Sequence, residues 1–440
     1  MATTFRPYHP DQSWLLPPSP QDWLAEGHLS YFVSDTVDAL DLSAFYALYE
    51  GDGRRNQPFD PRMMVKVLVY SYATGTFSSR KIARKLEEDV AYRVLAASNF
   101  PAHRTIAEFR QVHLEAFRSL FVQVVRIAGE AGLVKLGGLV VDGSKLKANA
   151  SQRKAMSYGR MAEQEKLLLE QIKELIRQAA AVDASEDRLY GSEKRGDELP
   201  TELQRREDRL RKIQEAQQRL EARQREKDEQ KGRSPKLGRK SSRGGRDFKR
   251  DFGVPPDEAQ DSFTDPESRI MKSSAGYVQA YNPQIAVDED SRLIVGTLVS
   301  NNAADNGQLT PVLDEVKSVM GRDPQRVLAD AGYKGEDNFL ELEKRAIDGY
   351  ISLAREGKAI PEPAADHPAT QRMATKLRSE QGKQRYRRRK AIVEPVFGWI
   401  KEILGFRRFS VRGLAKVRGE WDLVCLAVNL KRYHVLQGAR

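Results

Sequence analysis

Between residues 60 and 124, apolar side chains recur every three or four positions, the period of helices that bury one face. Asp60-Pro61 opens the first of these helices. The Asp can cap free backbone N–H groups, and Pro sits at the first helical position, where no donor is needed. Met64, Val67 and Leu68 share a face, and Gly75 is the stop. Ser19-Pro20 carries the same start signal upstream. Ser78-Ser79 heads a short helix, Arg80 to Leu86, with Ile82 and Leu86 inward and Arg80, Lys81, Arg84 and Lys85 outward. Another short helix over Val90–Ala97 ends at Asn99-Phe100-Pro101. Thr105-Ile106-Ala107-Glu108 reads as a capping box that opens a longer helix burying Phe109, Val112, Phe117, Leu120 and Val124. Short helices with basic outer faces suit a helix-turn-helix DNA reader; a plain helical bundle with a solvated basic face fits the spacing equally.

After Gly138 the pattern turns to strands. Leu139-Val140-Val141 is a buried, mostly β-branched run with Asp142 where it ends, and Arg326-Val327-Leu328-Ala329 repeats the design before Asp330. Val278–Val287 and Leu293–Val299, joined by Asp288-Glu289-Asp290-Ser291, form a β-hairpin. Thr310-Pro311 begins a helix with Leu309, Val312, Leu313, Val316 and Met320 on one face. A helix near Asn338–Arg345 and a strand near Tyr350–Leu353 follow, and together these elements make a mixed α/β sheet. Residues 154–262 stand apart. Met161, Leu168, Ile172, Leu175 and Ala179 form one helical seam, and Leu203, Leu210, Ile213 and Leu220 a second, which predicts an antiparallel helical hairpin. The Gly/Ser/Arg-rich stretch Lys231–Arg250 reads either as a solvated linker or as a DNA-contacting arm. The expected domains are therefore 1–135, helical; 136–153 with 263–440, the sheet; and 154–262, an insertion.

Composition narrows the class. The chain has 440 residues, a net charge of +11 and a pI near 9.4, with the positive charge gathered in Arg/Lys runs, so nucleic acid is the expected partner. A single Cys, Cys425, with apolar neighbours, excludes an internal disulfide and a Cys-based zinc site. The first residues do not resemble a secretory signal, and no apolar run reaches the roughly 20 residues of a membrane-crossing helix, so a soluble intracellular protein with no membrane partner is expected.

Breaking or transferring a phosphodiester requires an activated oxygen nucleophile and a stabilised leaving oxygen, and two Mg²⁺ ions about 3.5–4 Å apart can supply both. Mg²⁺ prefers carboxylate oxygens. Asp142 and Asp330, at the ends of strands that would neighbour each other, and Glu394, in the basic segment Tyr386-Arg387-Arg388-Arg389-Lys390-Ala391-Ile392-Val393-Glu394, are the candidate ligands. Any one strand-ending Asp is most often a turn or cap residue; the combination is what points to chemistry. Lys145 and Lys147 lie just beyond Asp142, and Lys401 follows Glu394 by two helical turns, with Pro395 between as a kink or first-turn residue. Phe397, Ile400 and Leu404 read as core, and Trp399 is open. Asn301-Asn302 and Asp305 are either a polar loop near the site or a helix-start cluster, with capping preferred. The expected DNA contacts are Arg80, Lys81, Arg84, Arg104, Lys145, Arg389, Lys390, Lys401, Arg407 and Arg408.

Several stretches together resemble the DDE transposases of bacterial insertion sequences. They are His103-Arg104-Thr105-Ile106-Ala107-Glu108-Phe109-Arg110, Val141-Asp142-Gly143-Ser144-Lys145, Tyr281-Asn282-Pro283-Gln284-Ile285, Leu328-Ala329-Asp330-Ala331-Gly332-Tyr333 and Val393-Glu394-Pro395-Val396-Phe397-Gly398. The resemblance implies an RNase H-like catalytic domain with Asp142, Asp330 and Glu394 as an acidic triad, and Mg²⁺ (or Mn²⁺) as cofactor. It also implies water-driven cleavage at the element's end, followed by attack of the freed 3′-hydroxyl on target DNA. Double-stranded DNA, a homodimer or higher oligomer on that DNA, and a cytoplasmic, nucleoid-associated location are implied with it. Relatives carry a Tyr–Arg–Glu–Lys signature. Glu394 and Lys401 match it, whereas Lys390 and Arg387 hold the Arg and Tyr positions, and Arg389 and Tyr386 lie one residue out of register. The helical insertion also departs from relatives in which an insert precedes the glutamate. An RNase H-like nuclease without joining, and a DNA-binding protein with an inert acidic cluster, are the alternative readings.

Overall fold

Asp60 begins the first long helix as its chemistry dictates: its carboxylate accepts from Arg62 N at 2.7 Å, ahead of Pro61 at the first helical position. The computed structural model describes residues 20–49, 58–151, 154–190, 201–235, 248–273, 276–354 and 358–438. A short 3₁₀ turn at Pro20–Trp23 precedes the helices α1 (Leu29–Asp38), α2 (Ser43–Tyr46), α3 (Pro61–Ala73), α4 (Ser79–Glu88), α5 (Val90–Leu95), α6 (His103–Val112) and α7 (Leu114–Glu130). Ser19 lies outside the described residues. Gly75 has φ +75°, and a Cβ there would stand 2.8 Å from the Leu404 carbonyl oxygen, so the stop after α3 is also a point of close chain approach.

Two expectations for this region are corrected. Helix α6 starts at His103 behind an extended Ala102, so Thr105 sits inside the helix and no capping box forms. The single long helix is also divided at His113. Its backbone leaves helical geometry, and its ring is buried against Phe45, Phe109 and Tyr49, while Val112 turns outward at 56% exposure. Aromatic packing of one side chain overrides the apolar period there.

The sheet is built from β1 (Leu139–Gly143), β2 (Leu146–Lys147), β5 (Arg269–Ser273), β6 (Gly276–Asp288), β7 (Ile294–Ser300), β8 (Arg326–Ala329) and β9 (Asp348–Ile351); β3 (Ala155–Ser157) and β4 (Gln260–Ser262) pair separately. β6 is antiparallel to both β1 and β7, whereas β1, β8 and β9 run parallel. The resulting order β7-β6-β1-β8-β9, with one reversed inner strand, is the RNase H-like arrangement of a mixed sheet. Crossover helices α10 (Leu309–Met320) and α11 (Glu336–Lys344) join the parallel strands. The first half of β6 overhangs this sheet and pairs with β2 and β5 instead.

Between β3 and β4 lie α8 (Tyr158–Tyr190) and α9 (Thr201–Gln230), which pair antiparallel. Tyr158 donates to Glu221 at 2.7 Å, and Gln214 donates to Glu165 at 2.9 Å. Met161, Leu168, Ile213, Ala216 and Leu220 form a small core of their own. Buried Asp261 of β4 accepts from Arg219 and Arg223, tying α9 to the ribbon. The connection at 191–200 and most of the basic stretch, 236–247, lie outside the described residues, as do the side chains of Ala179 and Leu203.

The chain closes with α12 (Pro368–Arg378), α13 (Glu380–Gly398), a π-helical turn Trp399–Ile403 and α14 (Leu414–Gly438). Phe397, Ile400, Leu404 and Cys425 are buried, and Trp399 is 38% exposed with Lys431 over its ring. Helix α14 is buried along most of its length between α3, α7 and β7, so the N-terminal helices and the sheet share one contiguous apolar core. A buried polar line crosses it. Arg110 donates to Tyr72 Oη at 3.2 Å and to the Phe77 carbonyl at 2.7 Å, Tyr72 donates to Glu420 at 3.0 Å, and Glu420 accepts from Ser410 N at 2.8 Å.

Candidate active site

Parallel pairing of β1 and β8 sets Val141 opposite Ala329, so the next residues, Asp142 and Asp330, stand side by side at the same sheet edge. Strands in one sheet lie about 4.8 Å apart, which makes these two carboxylates neighbours by topology alone. Asp142 Oδ1 accepts from Gly143 N at 2.8 Å, and Oδ2 accepts from Arg389 of α13 at 3.1 Å. Asp330 caps the 3₁₀ turn Ala331–Tyr333 through Gly332 N at 2.8 Å. A Cβ at Gly332 would stand 2.9 Å from Asp330 Oδ1 and 3.1 Å from Asp305 Oδ2. The glycine therefore leaves room for two carboxylates to approach.

Asp305 is the third acid at this edge. Its Oδ1 accepts from Asn282 at 2.7 Å, from Gln284 at 3.0 Å and from Lys145 at 3.0 Å. The preferred capping role is corrected: α10 has Gln308 at its N-cap, without a side-chain cap bond, and Asp305 instead faces the site. Gln284 accepts in turn from Tyr333 Oη, which is buried beside Asp142, Asp305 and Asp330. Burial and those negative neighbours push the Tyr333 hydroxyl well above its ordinary range, so it stays a neutral donor. Asn282, Gln284 and Tyr333 were not singled out as site residues from sequence, although polar Asn282 and Gln284 inside an otherwise apolar strand were a signal: both are fully buried and need partners.

Burial pushes Asp142 up to about 6; Arg389 opposes that shift, and the charges of Asp330 and Asp305 add to it. A carboxylate with a raised native pKa contributes stability below its unfolded value near 3.8 and loses it as pH rises through about 6. Asp142→Asn should therefore melt above wild type at pH 8 in metal-free buffer, by roughly 1–3 kcal/mol of added stability, and show no such gain at pH 4. Thermal melts at the two pH values read this directly; a loss of stability at pH 8 would contradict the assigned electrostatics.

Glu394 lies on α13, which packs against β1 and β8. It is exposed, and among the described residues no three His, Cys, Asp or Glu side chains are grouped closely enough to hold a metal. Two of the three expected ligands are thus brought together. Along the chain Glu394 lies between two cations that reach the edge, Arg389 on Asp142 and Lys401, whose Nζ donates to Ser144 Oγ; Lys145 on Asp305 is a third. The donor set is all oxygen, and its charge repulsion is answered here by a guanidinium, so Asp142 and Asp330 fit a hard divalent cation. Of the other expected DNA contacts, Lys145 is paired inward with Asp305 and Arg407 with Glu402, whereas Arg80, Lys81, Arg84, Arg104 and Arg408 are exposed and Lys390 is half-buried. A cleft of about 800 Å³ opens beside Asp330, lined among others by Lys334, Lys383, Tyr386, Arg387, Arg389 and Lys390.

Comparison with protein families gives two matches. The model described as transposase DDE domain matches residues 254–430, which include Asp330 and Glu394, and the model described as transposase domain (DUF772) matches residues 18–112. No curated protein and no solved structure matches the chain. No helix among the described residues is long and apolar enough to cross a membrane. With both transposase domain models matched and an RNase H-like sheet that carries paired aspartates at one edge, the chain belongs to the DDE transposases of insertion sequences.

Proposed function

We propose that this transposase hydrolyses a DNA strand at the ends of its element and joins the freed 3′-hydroxyl to target DNA, using Asp142, Asp330 and Glu394. The observation that carries this reading is the register of β1 and β8, which leaves two half-buried carboxylates adjacent at an edge flanked by a basic cleft. A bound pair of Mg²⁺ or Mn²⁺ ions would activate the attacking oxygen and stabilise the leaving one. Asp142 and Asp330 would hold such cations, and Glu394, on the adjoining α13, would complete the set if it turned inward. Arg389, on Asp142 at 3.1 Å, neutralises that carboxylate and would be free to meet a DNA phosphate if a cation took over the charge. Lys401, held by Ser144, fixes the end of α13 against the strand–loop that carries Asp142. Asp305, with Lys145, Asn282 and Gln284, braces the loop beyond Asp142 from the neighbouring strand.

Exposed Arg80, Lys81 and Arg84 on α4, with Arg104 on the adjoining α6, supply a second basic surface suited to duplex binding away from the cut. The insertion α8–α9 is assigned to assembly on paired DNA ends; deleting it without changing the oligomer formed on DNA would remove that role. The test of the reaction itself is a labelled duplex bearing the element's terminal sequence, incubated with plasmid target and Mg²⁺. The expected result is a nicked end and a labelled joined product. Cutting without joining would reduce the protein to a nuclease, and tight binding with neither product would make it a DNA-binding protein.

A further inference from the structure

We infer a second phosphate-binding subsite for DNA, separate from the acidic edge, in the cleft of about 490 Å³ between β2 and the segment 406–412. Lys147, Lys154, Arg408 and Arg412 line this cleft together with Asn149 and Gln279, and among the described residues no carboxylate does. Among the described residues Lys147, Lys154 and Arg408 form no ion pair, in contrast to Lys145, Arg389 and Arg407 nearby. Four cations in one lining that holds no acid make the cleft attractive to an anionic ligand.

The cleft is built rather than incidental. Arg407 O accepts from Lys147 N at 3.2 Å and Lys147 O from Phe409 N at 2.9 Å, so the backbone of 406–412 is laid along β2. Asn149 donates to Ser410 O at 2.7 Å, and Arg412 Nε donates to Asn149 O at 2.8 Å. Phe406 and Phe409 are buried in the core, which leaves Arg408 between them pointing out with little backbone freedom. The arginine is therefore positioned before any ligand arrives.

Its distance from the acidic edge argues for polymer backbone rather than a free anion. Along β6, Asp142 is opposite Ile285 and Lys147 is opposite Ala280. Five strand residues span about 17 Å, close to the run of five nucleotides of a B-form strand at about 3.4 Å each. A strand whose scissile phosphate lies at Asp142 can reach this cleft with a phosphate of the same molecule. The inference rests on the acidic edge being where DNA is cut, and it adds a contact that sets the path of the uncut flank.

The test reads binding alone. Full-length protein and a fluorescein-labelled 30-bp duplex of arbitrary sequence are titrated in EDTA across a potassium chloride series, since phosphate contacts need neither metal nor a particular sequence. Lys147→Gln and Arg408→Gln should each make the slope of log Kd against log salt shallower by about one, and the double variant by about two. Arg408→Lys should retain the wild-type slope, and Lys344→Gln, an ion-paired surface lysine on α11, should match wild type. An unchanged slope in a double variant that melts like wild type would overturn the subsite, as would a wild type that binds no duplex. Because no chemistry is read, a shallower slope in a protein that never cuts DNA would uphold the subsite and count instead against the cleavage reading.

Discussion

Asp142→Ala and Asp330→Ala are each expected to lower cleavage of an element-end duplex on the order of a thousand-fold, with duplex affinity kept within a few-fold of wild type. Each aspartate is one of two charges that would hold a divalent cation at the β1/β8 edge. Losing either removes several kcal/mol of stabilisation for the developing oxygen charges, and about 4 kcal/mol corresponds to a thousand-fold in rate. Affinity is spared because the cations that meet phosphates are other residues, and removing an acid from beside a phosphate lessens repulsion. Gel separation of cut strands alongside anisotropy binding distinguishes the two quantities. Full activity in either variant would take that residue out of the site.

The second large effect is on stability. Arg110→Ala should destabilise the protein by about 3 kcal/mol, because it leaves the buried Tyr72 hydroxyl without its guanidinium donor and buried Glu420 without the positive charge that faces it across Tyr72. Burial already holds the Tyr72 hydroxyl far above its ordinary range, with Glu420 adding to it, so the line cannot adjust by ionising Tyr72. Arg110→Met combined with Glu420→Leu should recover most of the loss, since an apolar pair strands no charge. Chemical denaturation of the three proteins measures this, and equal midpoints for Arg110→Ala and wild type would show that the buried line contributes nothing to stability.

That line also explains a motif. His103–Arg110 contributed to the family resemblance, yet Arg110 faces the core joining α3 to α14 and is not a DNA contact. Elements whose evidence is local were legible from sequence. Asp60-Pro61, the hairpin of β6 and β7, the apolar face of α10 and the two Val/Leu runs ending in Asp all follow from periodicity and turn chemistry. The helix boundary at His113 was not legible, because it is set by Phe45 and Tyr49 from far along the chain. Asp305 was weighed as part of a polar loop near the site, but capping was preferred because its partners come from far along the chain. Lys145 is 160 residues from Asp305, and neither residue type nor spacing records that meeting. The helix that carries Glu394 shows the limit at finer scale. Signature spacing pointed to Lys390, but it is Arg389 that reaches Asp142, since the face of α13 toward β1 depends on how the helix packs and not on its position relative to Glu394.

The central claim is that Glu394 joins Asp142 and Asp330 around divalent metal. Its most direct measurement is the anomalous scattering of Mn²⁺ in crystals of the full chain bound to an uncut element-end duplex. The account predicts metal peaks bounded by the Asp142 and Asp330 carboxylates, with Glu394 turned in to the same ions and Arg389 moved from Asp142 to a phosphate. Metal bound elsewhere, or bound at the two aspartates with Glu394 still facing solvent, would contradict it.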